Sequence, residues 1–489
     1  MFRTLKNAWN TKEIRSKILF TLFILLLYRI GTVIPVPFVE ANDFASSLSG
    51  TILDYMNTLS GGSLGAMTLF ALGVQPYINA SIIIQLLAVV FPKLGDIAKN
   101  DKKKMSFITR CVTVGLALVT AIGYYFLLRN GNSAAGVDTF LTRAAFEGDA
   151  SWLYSIVIIV CYCAGASLIM WLAERINERG IGNGISMILF ANIVSAVPSF
   201  VINLVELVIN TYGYTVDAWL YGILSTLFAV VLIAGLLVLI GVVIWFTGSE
   251  RRIPVQYAKK VVGRKMYGGS SSNLPIKLNM TGVMPIIFAS SIVSFIPTIL
   301  QILESAGAYD SKSGWAVFAD IIGSEGVIYP IALFLLIIGF AYFYTQITFD
   351  PMEIANNLKK QGGAIPGVRQ GRPTAEYIKK VTGKITLAGA LFLGVIAVLP
   401  IVLGPHVLKY FLEWLLLGAY NEAIAEAMAN GYTYFESLYK SYAAQGATNL
   451  VSIFSFGGTT LLIVVGVAVE TFRELEAQLT MRNYKGFLG

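Results

Sequence analysis

The chain has 489 residues, of which 56% are apolar and only 13% are charged. Soluble domains average about 45 to 50% apolar and about 25% charged residues. The mean hydropathy of +0.70 agrees with this imbalance, so a soluble cytosolic or secreted protein is excluded. The net charge of +8 therefore has to be interpreted relative to a membrane. Three cysteines and one histidine offer no set with zinc-ligand spacing, which argues against a metal hydrolase.

Apolar runs long enough to cross about 30 Å of hydrocarbon as helices recur along the chain. We count ten and predict a transmembrane helix at each. A signal peptide is the alternative for the first run, but that run lacks a small-residue cleavage pattern. The ten runs are Ile18 to Val36, Pro76 to Phe91, Thr109 to Leu128, Leu153 to Ala173, Ile185 to Val205, Leu220 to Phe246, Val283 to Leu300, Val327 to Thr348, Ile385 to Leu403 and Ile453 to Val469.

Basic residues are divided unevenly between the two ends of these predicted helices. The two termini and every second loop contain 30 of the 36 Lys and Arg residues. The positive-inside rule then places both termini and the basic loops in the cytoplasm. The sequence thus predicts an all-α, multi-pass protein of the cell (plasma) membrane.

An even number of spans with both termini on one side is compatible with two halves of five helices in inverted orientations. We place the boundary near Asn210 to Asp217, so that residues 1–212 form the first half and residues 213–489 the second. The halves show no strong repeat in sequence, and their inverted relation is inferred from parity alone.

The stretch from Ser60 to Val74 differs from the other apolar segments. It reads SGGSLGAMTLFALGV, is too short to span, and contains four glycines that weaken a helix. Irregular backbone at membrane depth needs protein around it. One hypothesis is therefore a re-entrant plug or a broken substrate-binding helix inside a cavity. The other is a glycine-rich loop that rests on the outer surface.

The predicted spans contain no Asp, Glu, His or Lys. Ion-coupled transporters and proton pumps usually place carboxylates or histidines at this depth. No catalytic triad, phosphate-binding loop or carboxylate pair can be assembled, so we expect no enzymatic activity, cofactor or metal. The polar side chains within the spans are amides and hydroxyls of the kind that join helices, such as Asn79, Ser81, Gln85, Asn192, Ser290 and Ser291.

Two long basic loops follow the sixth and eighth predicted spans. Residues 247–279 alternate apolar and polar side chains, which predicts a hairpin with a basic tip. Residues 349–384 bracket Arg369 with glycines and Pro366, which predicts a rigid turn. These loops either bind an acidic or polyanionic partner or only set the membrane topology. Their candidate docking residues are Arg251, Arg252, Lys259, Lys260, Arg264, Lys265 and Arg369.

Six stretches in chain order resemble the SecY family, the channel subunit of the bacterial Sec protein translocase. They lie in both halves and on both predicted sides of the membrane. They are ALGVQPYINASIIIQLL (Ala71 to Leu87), ERINERGIGNGIS (Glu174 to Ser186), RRIPVQYAKK (Arg251 to Lys260), GVMPIIFASSI (Gly282 to Ile292), NLKKQGGAIPGVRQG (Asn357 to Gly371) and FGGTTLLIVV (Phe456 to Val465).

The resemblance implies a clamshell of ten helices around an hourglass pore, with a plug on its outer side and a lateral gate between the halves. It implies a channel that passes unfolded secretory preproteins across the membrane and releases membrane-protein segments sideways into the lipid bilayer. It also implies SecE and SecG as small subunits. The motor ATPase SecA or a ribosome would dock on the basic loops and supply the energy.

The resemblance assigns roles to residues as well. It sets Asn79 and Gln85 against Ser291 and Phe295 at the lateral gate. The plug would run roughly from residue 61 to residue 72 and include Gly61, Gly62, Leu64, Met67 and Phe70. The pore ring would contain Val74, Ile78, Ile185, Leu189, Ile287 and Ile463.

One segment departs from the family pattern, since residues 404–451 are much longer than the short outer loop expected there. Their helical periodicity and acidic residues predict an amphipathic helical hairpin on the outer surface. Another crossing of the membrane would place the C-terminus outside and contradict the charge distribution.

Two other functions remain open. A ten-span secondary transporter with inverted repeats accounts for the even span count and the broken second helix, but it lacks an intramembrane coupling group. A scaffold or lipid-handling protein accounts for the aliphatic interior, but it gives no reason for two structured basic loops.

Overall fold

A computed structural model describes residues 2–40, 44, 48, 52–130, 139–147, 151–212, 219–257, 260–262, 265–267, 271–305, 326, 328–415 and 458–481. Helices dominate these residues because a backbone in lipid has to satisfy its hydrogen bonds within its own segment. The helices of the first half are α1 (Phe2–Asn10), α2 (Lys12–Gly31), α3 (Ile52–Leu59), α4 (Gln75–Val90), α5 (Pro92–Asn100), α6 (Lys102–Asn130), α7 (Arg143–Glu147), α8 (Ser151–Arg179) and α9 (Gly184–Tyr212).

The second half combines helices with five short strands. Its helices are α10 (Trp219–Gly248), α11 (Met284–Ser305), α12 (Ile328–Thr348), α13 (Pro351–Lys360), α14 (Arg372–Leu403) and α15 (residues 458–481). Its strands are β1 (Glu250–Tyr257), β2 (Lys260–Val262), β3 (Lys265–Tyr267), β4 (Ser271–Lys277) and β5 (Gly363–Ala364).

Seven helices in the described part of the chain are long and apolar enough to cross a membrane. An eighth span results if α4 and α5, which meet at 118°, count as one. The other two predicted spans coincide with α2 and α15, which carry several charged residues and do not meet the same apolar criterion. The predicted all-α polytopic fold is confirmed, and the count of ten spans stays a prediction.

The two halves meet where α9 packs on α10 and where α11 of the second half packs on α4 and α6 of the first. The largest apolar core lies at this meeting point and takes side chains from both halves. A second core belongs to the first half and surrounds the segment between α3 and α4. The centre of the molecule is therefore an apolar junction, and a ring between the halves would have to lie there.

The two basic loops form one small domain. We call this domain and the first turns of α14 (residues 372–384) the basic face. Strands β4, β1 and β5 make a three-stranded antiparallel sheet in which Arg251 pairs with Ile276 and Gln256 with Ala364. Strands β2 and β3 pair at the far end of the first loop. The antiparallel pairing of β1 with β4 confirms the predicted hairpin. On β1, Ile253 and Val255 are buried and alternate with exposed residues.

The second basic loop, residues 349–384, contains helix α13 and the first turns of α14. Helix α14 begins at Arg372, directly after Gly371 with φ +95°, and Pro373 lies in its first turn. The helix continues through the lysines at the end of this loop, and Lys379, Lys380 and Lys384 are exposed. Helix α13 occupies ten residues near the start of this loop, and the location of the loop in the cytoplasm stays a prediction.

The long segment after α14 is described only to residue 415. A π-helical turn, Gly404–Leu408, and a helical stretch at residues 409–415 continue the chain from α14. Leu412 and Leu415 are buried against Leu204 and Leu207 of α9. The predicted hairpin falls mostly on residues 416–451, which lie outside the described residues.

Candidate functional site

The six predicted ring residues converge on one place. All are buried, with exposed fractions from 1 to 7%, and all belong to the apolar core shared by both halves. They come from the α3–α4 connection, α4, α9, α11 and α15. The structure therefore brings together side chains that lie up to 389 positions apart in the chain, Val74, Ile78, Ile185, Leu189, Ile287 and Ile463.

Hydroxyl groups near this cluster are turned back onto their own helix. Ser290 donates to the carbonyl oxygen of Ile287 at 3.0 Å, and Ser291 donates to the same oxygen at 2.7 Å. Their donors are already used within α11, so these two serines leave no free hydroxyl donor at the junction. An apolar surface offers a passing peptide contact without competing hydrogen bonds.

The segment from Ser60 to Val74 is a succession of turns, and most of it is buried. Gly61 and Gly62 have φ values of +71° and +85°, which glycine adopts without strain. The backbone N–H of Val36 donates to the carbonyl oxygen of Met67 at 3.1 Å. Because Leu64, Met67 and Phe70 are 2 to 4% exposed, the hypothesis of a surface loop is wrong.

Residues 60–73, which we call the plug segment, lie directly against the ring residues. A cavity of about 10 Å³ separates them and is lined by Leu72 of the plug segment and by Val74 and Leu189 of the ring. That volume holds about one water-sized sphere. The junction is thus closed on this side in the described conformation.

Polar contacts hold the plug segment and α3 in place. The side-chain amide of Asn192 donates to the carbonyl oxygen of Leu59 at 2.7 Å and to the hydroxyl of Tyr28 at 2.9 Å. Asn57 accepts from the backbone N–H of Gly65 at 2.8 Å. Sequence analysis missed α3, Tyr28 and Asn57, because such contacts follow from the fold and leave no local pattern.

Aromatic packing adds to these polar contacts. Phe70 of the plug segment stacks on Tyr28 with ring centroids 5.4 Å apart. A Cβ at Gly31 would overlap the ring of Phe70, so only glycine fits beneath it. The plug segment is therefore held by α2 as well as by α9.

The predicted gate residues lie on helices that do meet, but their partners differ from the expected ones. Gln85 accepts from the hydroxyl of Tyr344 on α12 at 2.5 Å and donates to Ser81 at 2.9 Å. Ser291 bonds within its own helix, and Asn79 and Phe295 are half-buried. The residue that sequence analysis missed here is Tyr344.

Several of the predicted docking residues lie on the strands of the basic face. Arg251 and Arg252 are exposed on β1, and Arg252 is paired with Glu250 at 2.7 Å. Lys260 and Lys265 belong to β2 and β3. Lys259 and Arg264 lie outside the described residues.

Arg369 occupies a turn whose backbone is fixed on both sides. Gly367 and Gly371 have positive φ values of +79° and +95°. The hydroxyl of Thr374 donates to the Arg369 carbonyl oxygen at 2.7 Å, and the side chain of Gln370 donates to the Gly363 carbonyl oxygen at 3.1 Å. The guanidinium is exposed, so the predicted rigid turn presents it to solvent.

A sequence profile of the SecY family matches residues 68–419. A protein translocase subunit SecY from Streptomyces coelicolor is 38% identical over 499 aligned positions that cover 100% of both chains. The chain belongs to the SecY family. A second SecY relative, from Mycobacterium bovis, is 38% identical and aligns with 99% of this chain and 98% of its own. The transporter hypothesis finds no support among these relatives.

Solved structures of channel proteins share the fold of this chain. A protein-conducting channel is 17% identical, covers 95% of this chain and 92% of its own, and superimposes with a TM-score of 0.56. Sec61 in a canine ribosome–channel complex has a TM-score of 0.53 at 16% identity, with coverage of 95% and 92%. At these identities the match shows the fold alone.

Proposed function

We propose that this SecY-family protein is a channel that conducts unfolded secretory polypeptides across the cell membrane. The observation that supports this proposal is the buried apolar core between the two halves, which contains all six proposed ring residues and against which the plug segment packs. A conduit for many sequences needs walls that exclude ions when empty and bind no particular sequence.

An aliphatic constriction meets both needs. Branched apolar side chains without hydrogen-bonding groups dewet when no chain is present, which stops ions. The same side chains can fit around a moving peptide without holding its polar groups. Outward movement of the plug segment and separation of α4 and α6 from α11 would open the path.

Lateral release of membrane-protein segments would use the same contact between the halves, where α4 and α6 pack on α11. Its described contacts are apolar except for a few hydrogen bonds, such as Gln85 to Tyr344. Apolar segments in transit gain free energy by entering lipid, whereas polar segments do not. We propose that Asn79, Gln85, Ser291 and Phe295 lie along this gate.

Energy and assembly would come from partners. No phosphate-binding loop is evident in the sequence, so we propose that SecA or a translating ribosome docks on the basic face and drives transport. A ribosomal surface is polyanionic, and its attraction to these basic residues would weaken with salt. SecE and SecG would complete the complex, with both termini of this chain in the cytoplasm.

Deletion of residues 61–72 tests the proposed channel against the scaffold alternative. Reconstituted in planar bilayers, the deleted protein should conduct ions well above the wild type, because the junction loses its cover. A matched deletion control removes residues 482–489 at the C-terminus. Unchanged conductance of correctly inserted protein would contradict the channel.

A further inference from the structure

A shallow, open cavity of about 510 Å³ lies on the basic face, between α12 and the first turns of α14. Lys379, Lys380 and Lys384 line it and are exposed. The one carboxylate on its wall, Glu376, is paired with Arg372 at 3.2 Å. None of the three lysines forms an ion pair within the described part of the chain, so the cavity has an excess of positive charge.

The cavity lies where α14 passes from charged to apolar sequence. Lys384 is followed at once by the apolar run of residues 385–403. Spacings of three and four residues place Leu387, Leu391 and Val395 on the helix face that carries Lys380 and Lys384. These apolar side chains are 42%, 40% and 51% exposed. One face of α14 therefore presents a cationic end and a continuous apolar stripe.

Tyr342 lines the cavity from α12, whereas Gly383 lies on α14 between Lys380 and Lys384. The hydroxyl of Tyr342 donates to the carbonyl oxygen of Gly383 at 3.1 Å, which joins α12 to α14 at the floor of the cavity. A Cβ at Gly383 would meet nothing within 4 Å. Glycine weakens a helix, and here its missing side chain leaves the space open.

We propose that this cavity binds one anionic glycerophospholipid. Its phosphate headgroup would lie among the three lysines, and an acyl chain would follow Leu387, Leu391 and Val395. Cationic side chains next to a membrane attract anionic lipid headgroups. Lysines without an ion-pair partner keep this attraction in full. A soluble phosphate would use the lysines but not the apolar stripe, and a zwitterionic lipid lacks the net charge that the lysines select.

A cavity-filling variant separates a built site from general attraction to charge. Gly383→Leu keeps all three lysines and fills the open space with a side chain that favours helix. Its control is Gly241→Leu on α10, where a Cβ also meets nothing within 4 Å. Both are purified in detergent containing phosphatidylglycerol, and bound lipid is counted by native mass spectrometry. Circular dichroism checks that each variant is folded.

A charge variant tests the headgroup separately. Lys379→Gln, Lys380→Gln and Lys384→Gln are combined and compared with Lys102→Gln, Lys103→Gln and Lys104→Gln. The control lysines also lie at the start of a spanning helix, but Lys104 is paired with Asp101 at 3.5 Å. The backbone N–H of Lys104 donates to Asp101 as well, which holds the pKa of this exposed carboxyl below its usual value.

The proposal predicts that Gly383→Leu and the Lys379–Lys380–Lys384 variant each bind phosphatidylglycerol at least about fivefold more weakly than wild type. Both controls should stay within twofold of wild type. Equal binding by Gly383→Leu and wild type would overturn the site, as would equal binding of phosphatidylcholine. Displacement of the lipid by millimolar inorganic phosphate would assign the cavity to a soluble anion and overturn the lipid.

Discussion

Asn192 shows how a single polar residue secures a closed state in an apolar interior. It is fully buried, and both N–H groups of its amide are used, one on α3 and one on α2. A buried carbonyl oxygen that loses its partner costs about 1 to 3 kcal/mol. Asn192 therefore stabilises the packed plug segment relative to a displaced one.

Replacing Asn192 by Leu should loosen the plug segment. The new side chain has a similar branched shape but leaves the Leu59 carbonyl oxygen without its donor, so the closed state should lose about 1 to 3 kcal/mol. Ion conductance in planar bilayers should rise clearly above that of wild type. Ser195→Ala is the control, because this hydroxyl donates only to the Asn192 carbonyl oxygen in its own helix. Wild-type conductance for Asn192→Leu would show that the amide does not hold the plug segment.

At the scale of elements, the close approach of α8 fixes the plug segment from one side. A Cβ at Gly165 would overlap the carbonyl oxygen of Leu69. Real Cβ atoms do not approach backbone so closely, so α8 and the plug segment touch only because residue 165 is glycine.

Gly165→Ala should therefore push the plug segment away from α8. We expect greater ion leak and faster proteolysis of the segment, while the spans stay inserted. Gly115→Ala on α6 is the matched control, since a Cβ there meets nothing within 4 Å. Limited proteolysis and conductance provide the two measurements. Equal behaviour of the two variants would contradict the tight contact.

The elements differ in how far the sequence predicts them. The apolar spans and the basic hairpin were predicted because hydropathy and alternation are local signals. The turns of the plug segment were indicated by its glycines, but α3 was missed because its eight residues are too short to show a period. The joining of the two basic loops through β5 and the Gln85–Tyr344 bond depend on residues far apart in the chain, which no local pattern reveals.

At the scale of the whole molecule, transport has to couple the basic face to the junction. The sheet packs on α13 and the start of α14 through a small core that contains Ile253, Leu358 and Ile378. Helix α14 continues from this core into its apolar, membrane-spanning part, residues 385–403. A partner bound on the basic face therefore contacts an element that is rigidly connected to the spans.

Arg369→Glu tests the docking of the motor. Reversal of this exposed charge in a fixed turn should reduce SecA-driven export at least about tenfold, because a charge attraction becomes a repulsion. The protein should remain folded, since the side chain is exposed. Lys359→Glu makes the same change of charge on α13 of the same loop and should keep most of the export. Normal export by vesicles that contain the Arg369→Glu variant would show that Arg369 is not part of the docking site.

The most direct test of the central claim places a photo-crosslinking residue at Ile78 or Ile463 and arrests a secretory precursor partway through reconstituted membranes. Leu237, 62% exposed on α10, provides the control position. A path through the junction predicts crosslinks to the precursor from both ring positions and none from residue 237. Absence of crosslinks from both ring positions, in membranes that still bind the motor, would contradict a path through this junction.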